Sequence, residues 1–262
     1  MDIAVQQDLF NNEYNIDNIK VLNRYLTFEK ELILCINIRS LNANFSKLQV
    51  FLYELEIQPN IVCTETWNLE HSSLFNIVGY KMFYNNSKIN KSDGVIIYIK
   101  DNITEITEII QIGKIKIINS KISLENKKKL LLSSIYRSHD IHKTEFLMNM
   151  KNHIEMNKTN KNNIIVGDFN IDILNQDIID QEFLQVMLEN GYCPGLNNIT
   201  KPSNQDHKIG TCIHNFYLKL DKLRYNTFTL NIPLNDHYPI FMALKGSMKN
   251  DEQTTFKKIN YK

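Results

Sequence analysis

An acid and an amide stand one residue apart at Asp168 and Asn170, directly after the apolar run Ile164-Ile165-Val166 and Gly167. A carboxylate that can take a proton, beside an amide that both donates and accepts, can activate water next to a developing oxyanion. Residues two apart on extended chain point to the same side, so the pair is expected to share one pocket at the lip of a sheet. Gly167 lets the backbone turn there and lets a ligand come close. Other polar residues also fall at the ends of apolar runs: Asn37, Glu65, Tyr136, and Asp236 with His237. Carboxylates with an amide make a hard-oxygen set that suits Mg2+ or Mn2+, and a neighbouring histidine can hold a phosphoryl oxygen or carry a proton. Taken singly, each has an ordinary structural reading: a Gly-Asp turn, a loop acid at Glu65, a core tyrosine at Tyr136, a helix cap at Asn37. Trp67, the single tryptophan, reads as a packing anchor.

The elements that must carry these residues follow from periodicity. Leu32–Ile36 is a strand, Phe45, Leu48, Phe51, Leu52 and Leu55 recur at helical spacing, and Ile61–Thr64 is a second strand. A strand–helix–strand unit of this length favours a sheet with helices on a face. Tyr80–Tyr84, Gly94–Lys100, Ile115–Leu124 and Leu130–Tyr136 read as strands, then His142–Met156 as a helix before the strand that ends at Gly167. Gln181–Leu188 is helical, stopped by Asn190-Gly191. Thr211–Lys219, Thr227–Ile232 and Tyr238–Leu244 are strand-like. The division is a polar, helical lead-in over 1–30, one α/β domain over 31–245 and a polar tail over 246–262.

At 262 residues with 43% hydrophobic content the chain is long enough to bury a substantial core. A net charge of +1 gives no global basic field, so contact with nucleic acid requires a local patch. The four cysteines are far apart, with no zinc-type or disulfide-type spacing. Cys35 and Cys63 sit in apolar runs, as buried free thiols do, which favours a reducing compartment. No secretory leader or membrane-spanning run is evident. These features predict an intracellular protein, nuclear or cytoplasmic and not secreted, monomeric and without a membrane partner.

The ordered series Asn37-Ile38-Arg39-Ser40-Leu41, Thr64-Glu65-Thr66-Trp67, Ser92-Asp93-Gly94-Val95, Ile135-Tyr136-Arg137-Ser138, Gly167-Asp168-Phe169-Asn170 and Asn235-Asp236-His237-Tyr238-Pro239-Ile240 resembles the endonuclease/exonuclease/phosphatase family. More narrowly, it is similar to the apurinic-type endonuclease domain of jockey-like non-LTR retrotransposons, from about Glu31 to Leu244. The resemblance implies a DNase I-like, two-layered α/β sandwich of two mixed, mostly antiparallel sheets flanked by helices. It also implies Mg2+-dependent (or Mn2+-dependent) nicking of DNA, and a parent polyprotein carrying a reverse transcriptase. By the same resemblance Glu65 is the main metal ligand, helped by Asn37 and Asp236. Asp168 orients or deprotonates the attacking water. Asn170, His237 and Tyr136 hold the scissile phosphate, while Asn37, Asn170, Thr200 and Lys201 face the substrate.

The chain departs from the family pattern at Thr211-Cys212-Ile213-His214-Asn215-Phe216, where the family has Cys-Ile-Asp-His. His214 replaces the acid that fixes the histidine matching His237, and Asn215 replaces the histidine after it. Without that negative charge the pKa of His237 should fall. By analogy with an orienting acid in a hydrolase triad, the loss is about 10²–10⁴ in turnover. Asp206 is the nearest acid in sequence that could stand in. The expectation is therefore a weakened endonuclease. The alternatives are a catalytically dead, domesticated or decayed domain that still binds nucleic acid or protein, and a phosphatase acting on lipid or nucleotide phosphates.

Overall fold

The computed structural model describes residues 12–26, 29–86, 90–124, 128–203, 209–232 and 234–245. Its first half runs β1 (Glu13–Ile16), α1 (Ile19–Leu26), β2 (Glu29–Asn37), α2 (Leu41–Tyr53), β3 (Asn60–Thr64), β4 (Tyr80–Asn85) and β5 (Val95–Lys100). There follow β6 (Thr104–Ile112), β7 (Ile115–Ser123), β8 (Lys129–Tyr136), α3 (Lys143–Met156), β9 (Asn163–Asp168) and α4 (Ile178–Glu189). The last part holds three two-residue strands, β10 (Cys193–Pro194), β11 (Lys201–Pro202) and β12 (Gly210–Thr211). It ends with β13 (His214–Lys219), β14 (Tyr225–Leu230) and β15 (Ile240–Lys245).

These strands form a seven-stranded sheet, ordered β1-β14-β15-β2-β3-β5-β4, and a six-stranded sheet, ordered β10-β13-β9-β8-β7-β6. The central strands are apolar on both faces, which explains their unbroken hydrophobic runs. Along β2, Leu32, Leu34 and Ile36 point outward to α1 and α2, joining Leu22, Leu26, Leu48 and Phe51. The alternate residues Ile33 and Cys35 point inward with Val62 and Ile97, and meet Ile118, Leu132, Ile164 and Val166 of the other sheet. The outer face of the second sheet packs Ile135, Ile165 and Tyr217 against Phe146 and Met150 of α3 and Phe183 of α4. Two sheets thus share one core, with helices on each outer face.

Each sheet contains one strand–helix–strand crossover between parallel neighbours, β2–α2–β3 and β8–α3–β9. The pairing register sets Asn37 beside Thr64 in one sheet and Tyr136 beside Asp168 in the other. Both units therefore deliver their chemistry at the carboxyl ends of parallel strands, where sheets of this kind bind ligands.

Several sequence expectations are revised. Residues 13–26, read as part of a polar lead-in, supply β1, which pairs with β14 in parallel, and α1, whose Leu22 and Leu26 are buried. β6, which was not read from the sequence, is an edge strand, and its isoleucines Ile106 and Ile109, on opposite faces, are both exposed. Trp67 is not a core anchor: it is 38% exposed. The tail expected over 246–262 lies outside the described residues.

Candidate active site

β9 reaches the site only because position 167 is glycine. A Cβ there would stand 1.7 Å from the carbonyl oxygen of Ile135, on the neighbouring strand. Beyond the strand, Asn170 adopts φ 47°, and its backbone N–H donates to Asp168 Oδ1 at 3.0 Å. This bend ends the strand alternation from which a pocket shared by Asp168 and Asn170 was expected. Asp168 is fully buried, whereas Asn170 lines a 370 Å³ cavity together with Lys143, Asp172, Asp180 and Lys201.

Left-handed backbone gathers at these strand ends. Arg39, Ser40, Glu65, Trp67 and Asn170 all have positive φ, and Lys222 is the only other described non-glycine residue that does. Such conformations cost energy and cluster at functional sites. After β2, Ser40 caps α2 by accepting the N–H of Ala43, which leaves the Asn37 side chain free of a capping role. Asn37 Oδ1 accepts the N–H of Arg39, and its Nδ2 donates to Asp168 Oδ2 at 3.0 Å. Asn37 also hydrogen-bonds Glu65, so this one amide connects the carboxylates of the two sheets.

His214 follows Thr211-Cys212-Ile213 and pairs with Asp168 across the β9–β13 ladder. Its Nε2 lies 3.2 Å from Asp168 Oδ2 and 3.0 Å from His237 Nδ1. The replacement of an acid by His214 therefore does not break the chain of contacts. It inserts an imidazole between Asp168 and His237. One proton on His214 Nε2 can serve both neighbours as acceptors, which leaves His237 Nδ1 as a lone pair and puts its own proton on Nε2.

Burial opposes ionisation of Asp168, but the His214 ring, then His237 and the Asn37 amide, prevail and bring its carboxyl down to about 2. His237 moves in the expected direction, lowered to about 3, although burial is the main cause and the His214 ring the second. Glu65 is shifted upward, first by burial and then by the nearby charge of Asp168, with Asn37 acting against both.

Tyr136 is buried against the same acids. Its hydroxyl is pushed far up by burial and by the charges of Glu65, Asp168 and Asp93, and it hydrogen-bonds the Asn170 side chain. It also lines a separate cavity of 330 Å³ with Asp93, Gly94 and Lys116. Arg137 is the residue that sequence reasoning missed. Buried at 4% exposure, its guanidinium donates to the carbonyls of Phe169 and Asn170 at 2.7 Å each, and also to that of Ile141. The Asn170 amide donates back to the Arg137 carbonyl at 2.8 Å. An arginine directly after a buried strand was the available signal, because a buried guanidinium must satisfy its donors locally.

Thr200 and Asp236 are engaged elsewhere than expected, and Asn215, which departs from the family pattern, has a structural place. Thr200, expected to face the substrate, has no exposed surface and is engaged with the backbone at the start of β13. Its hydroxyl accepts the N–H groups of Ile213 and His214, both at 3.1 Å, and so sets where His214 enters the site. Asp236, expected as a metal ligand, is bound by Arg39 Nη1 at 2.6 Å and is 41% exposed. Asn215 is structural: its carboxamide accepts the N–H groups of Gly195 and Leu196 and donates to the Leu196 carbonyl. Lys201 stays half-buried on β11, and its charge is felt at both Glu65 and His237. Asp206 lies outside the described residues.

Two mixed sheets packed face to face, with helices outside and strand ends converging on acids, amides and histidine, define a DNase I-like fold. Solved structures of the same architecture are nucleases and phosphatases. An AP endonuclease from Leishmania major superposes with a TM-score of 0.68 at 13% identity, covering 83% of this chain and 88% of that one. A 3′ phosphatase from Neisseria, bound to a product DNA hairpin, gives 0.64 at 15% identity over 82% and 99%. The endonuclease domain of TRAS1, a telomere-specific non-LTR retrotransposon, gives 0.56 at 13% identity over 82% and 98%. No protein-family model and no curated protein matches the sequence.

Proposed function

We propose that this chain is a divalent-metal-dependent phosphodiesterase that nicks DNA, of the kind found as retrotransposon endonuclease domains. The observation that carries the reading is the continuous set Glu65–Asn37–Asp168–His214–His237, built from the ends of β2, β3 and β9, the start of β13 and the loop before β15. Nearby Asn170, Tyr136 and Arg137 complete it.

The donor chemistry fits a hard cation. Glu65 is a half-buried carboxyl raised by burial and by a second acid, and it stands beside an amide. A divalent ion there would offset both charges. Glu65 and Asn37 would hold it, with Asp236 joining only on release from Arg39. Such an ion supplies Lewis-acid stabilisation of charge developing on phosphate.

This chain's own residues do the rest. Asp168 is a weak base at about 2 and acts by orienting the attacking water and by holding His214. Asn170, fixed by Arg137, presents its amide to a phosphoryl oxygen. His237 donates from Nε2 as a neutral imidazole, a weaker donor than the imidazolium an acid partner would maintain. The expected result is genuine but slow cleavage, about 10²–10⁴ below an acid-paired site. An intracellular setting is part of this reading, supported by four free cysteines, three of them buried.

Nicking of supercoiled plasmid in Mg2+ or Mn2+ tests it. Wild type should cleave, Asp168→Ala should not, and His214→Asp should cleave faster. Absence of cleavage in wild type with any divalent metal would sink the proposal. A second reading, a non-catalytic relic, draws on the Arg39–Asp236 pair, which ties up a carboxylate expected to hold metal. It predicts salt-sensitive DNA binding without turnover.

A further inference from the structure

We propose that Asp168 Oδ2, His214 Nε2 and His237 Nδ1 form a second metal position, separate from Glu65 and selective for Zn2+ or a similar borderline transition ion. The three ligand atoms lie within 4.8 Å of one another, and they are the only such group of histidine, cysteine and acid side chains among the described residues. The adjacent separations are 3.2 Å and 3.0 Å. Ligands about 2.0–2.1 Å from a tetrahedral zinc stand about 3.3 Å apart, so two of the three separations already match and the Asp168–His237 side closes on the ion. All three side chains are buried, which holds them in place.

The proton arrangement makes this position convertible. Without metal, a single hydrogen on His214 Nε2 lies between two acceptors. His214 Nδ1 is buried and has no hydrogen-bond partner, so moving the hydrogen there leaves an unpaired N–H whose cost ligation of the ion must offset. Moving the hydrogen from Nε2 to Nδ1 turns three atoms around one hydrogen into three converging lone pairs. Two imidazoles and one carboxylate then suit Zn2+, Co2+ or Ni2+, whereas Mg2+ prefers oxygen throughout. The site exists because His214 occupies its position; an aspartate there would give an oxygen-rich pair with His237. The inference does not depend on which phosphate ester, if any, the protein cleaves.

The test uses the full chain stripped of metal and titrated with Co2+ in excess Mg2+. Visible d–d bands from nitrogen-ligated Co2+, saturating at one ion per chain, are expected. His214→Asp and His214→Gln should each weaken binding by about 100-fold or more, since even outer-shell changes at metal sites cost about 10–100-fold. Glu65→Gln should lose Mg2+-dependent cleavage and keep the Co2+ bands, which separates this site from the one in the proposed reaction. X-ray absorption of the Zn2+-loaded wild type should count two imidazoles and needs no variant to fold. No Co2+ spectrum, no imidazole scattering, bands abolished by Glu65→Gln, or bands that persist in both His214 variants would each overturn the proposal.

Discussion

Two buried histidines make this protein sensitive to acid at the level of single residues. His153 on α3 is lowered by burial to about 4, and its Nε2 lies 3.1 Å from Ser133 Oγ. His237 is lowered to about 3. The unfolded chain protonates such rings near 6.5, the folded chain only well below that. Between those limits the unfolded state binds more protons, so stability is lost as pH falls through the window. Asp168 adds a further loss lower down, as its carboxylate protonates between its unfolded value of 3.8 and about 2. Each group contributes a slope of about 1.4 kcal/mol per pH unit within its window. Urea unfolding of His153→Gln should therefore show a slope smaller by about that amount between roughly pH 6 and pH 4. An unchanged slope would mean that His153 is not held neutral.

At the scale of elements, what matters is how closely β8 and β9 approach at Gly167. Because the Ile135 carbonyl occupies the space of a side chain, Gly167→Ala must separate two central strands that together carry Tyr136 and Asp168. The expected cost is about 4 kcal/mol or more, in the range reserved for core disruption, with loss of any cleavage. Urea unfolding of the alanine variant measures it directly, and a change below about 1 kcal/mol would show that the strands relax apart cheaply. Arg137 and Asn215 act at this same scale. Each satisfies the backbone of a loop next to the site, Arg137 after β9 and Asn215 at Gly195-Leu196.

For the whole molecule, the first described segment is part of the sandwich. β1 extends the first sheet beside β14, Tyr14 stacks on Phe228 with centroids 5.4 Å apart, and α1 buries Leu22 and Leu26. Deleting residues 1–26 would uncover this apolar surface and leave β14 as an unpaired edge. Two leucines and an isoleucine amount to roughly 5 kcal/mol of burial. In a chain of this size that predicts a melting temperature lower by about 10 °C, with a greater tendency to aggregate. Circular dichroism melts of both chains decide it: equal melting temperatures would mean that the segment is dispensable.

The sequence by itself determined an α/β domain and its strand-end residues, and the sandwich followed from the resemblance of its motifs to a known family. Apolar runs such as Ile33–Ile36 and Ile164–Val166 record strands buried on both faces, and that pattern is local. Asn37, Glu65, Tyr136, Asp168 and His237 were legible because each follows or precedes such a run. The meeting of Asp168 with His214 and His237 was decided only by tertiary structure, through the β9–β13 register and the Thr200 hydroxyl that fixes where His214 enters. So were the capture of Asp236 by Arg39 and the burial of Thr200. The fall in His237 was anticipated from its neighbour, but its main cause, burial, depends on packing. Periodicity reports which face of an element is buried. Which polar atoms from distant segments come within 3 Å of one another depends on strand register and left-handed turns, which local pattern does not encode.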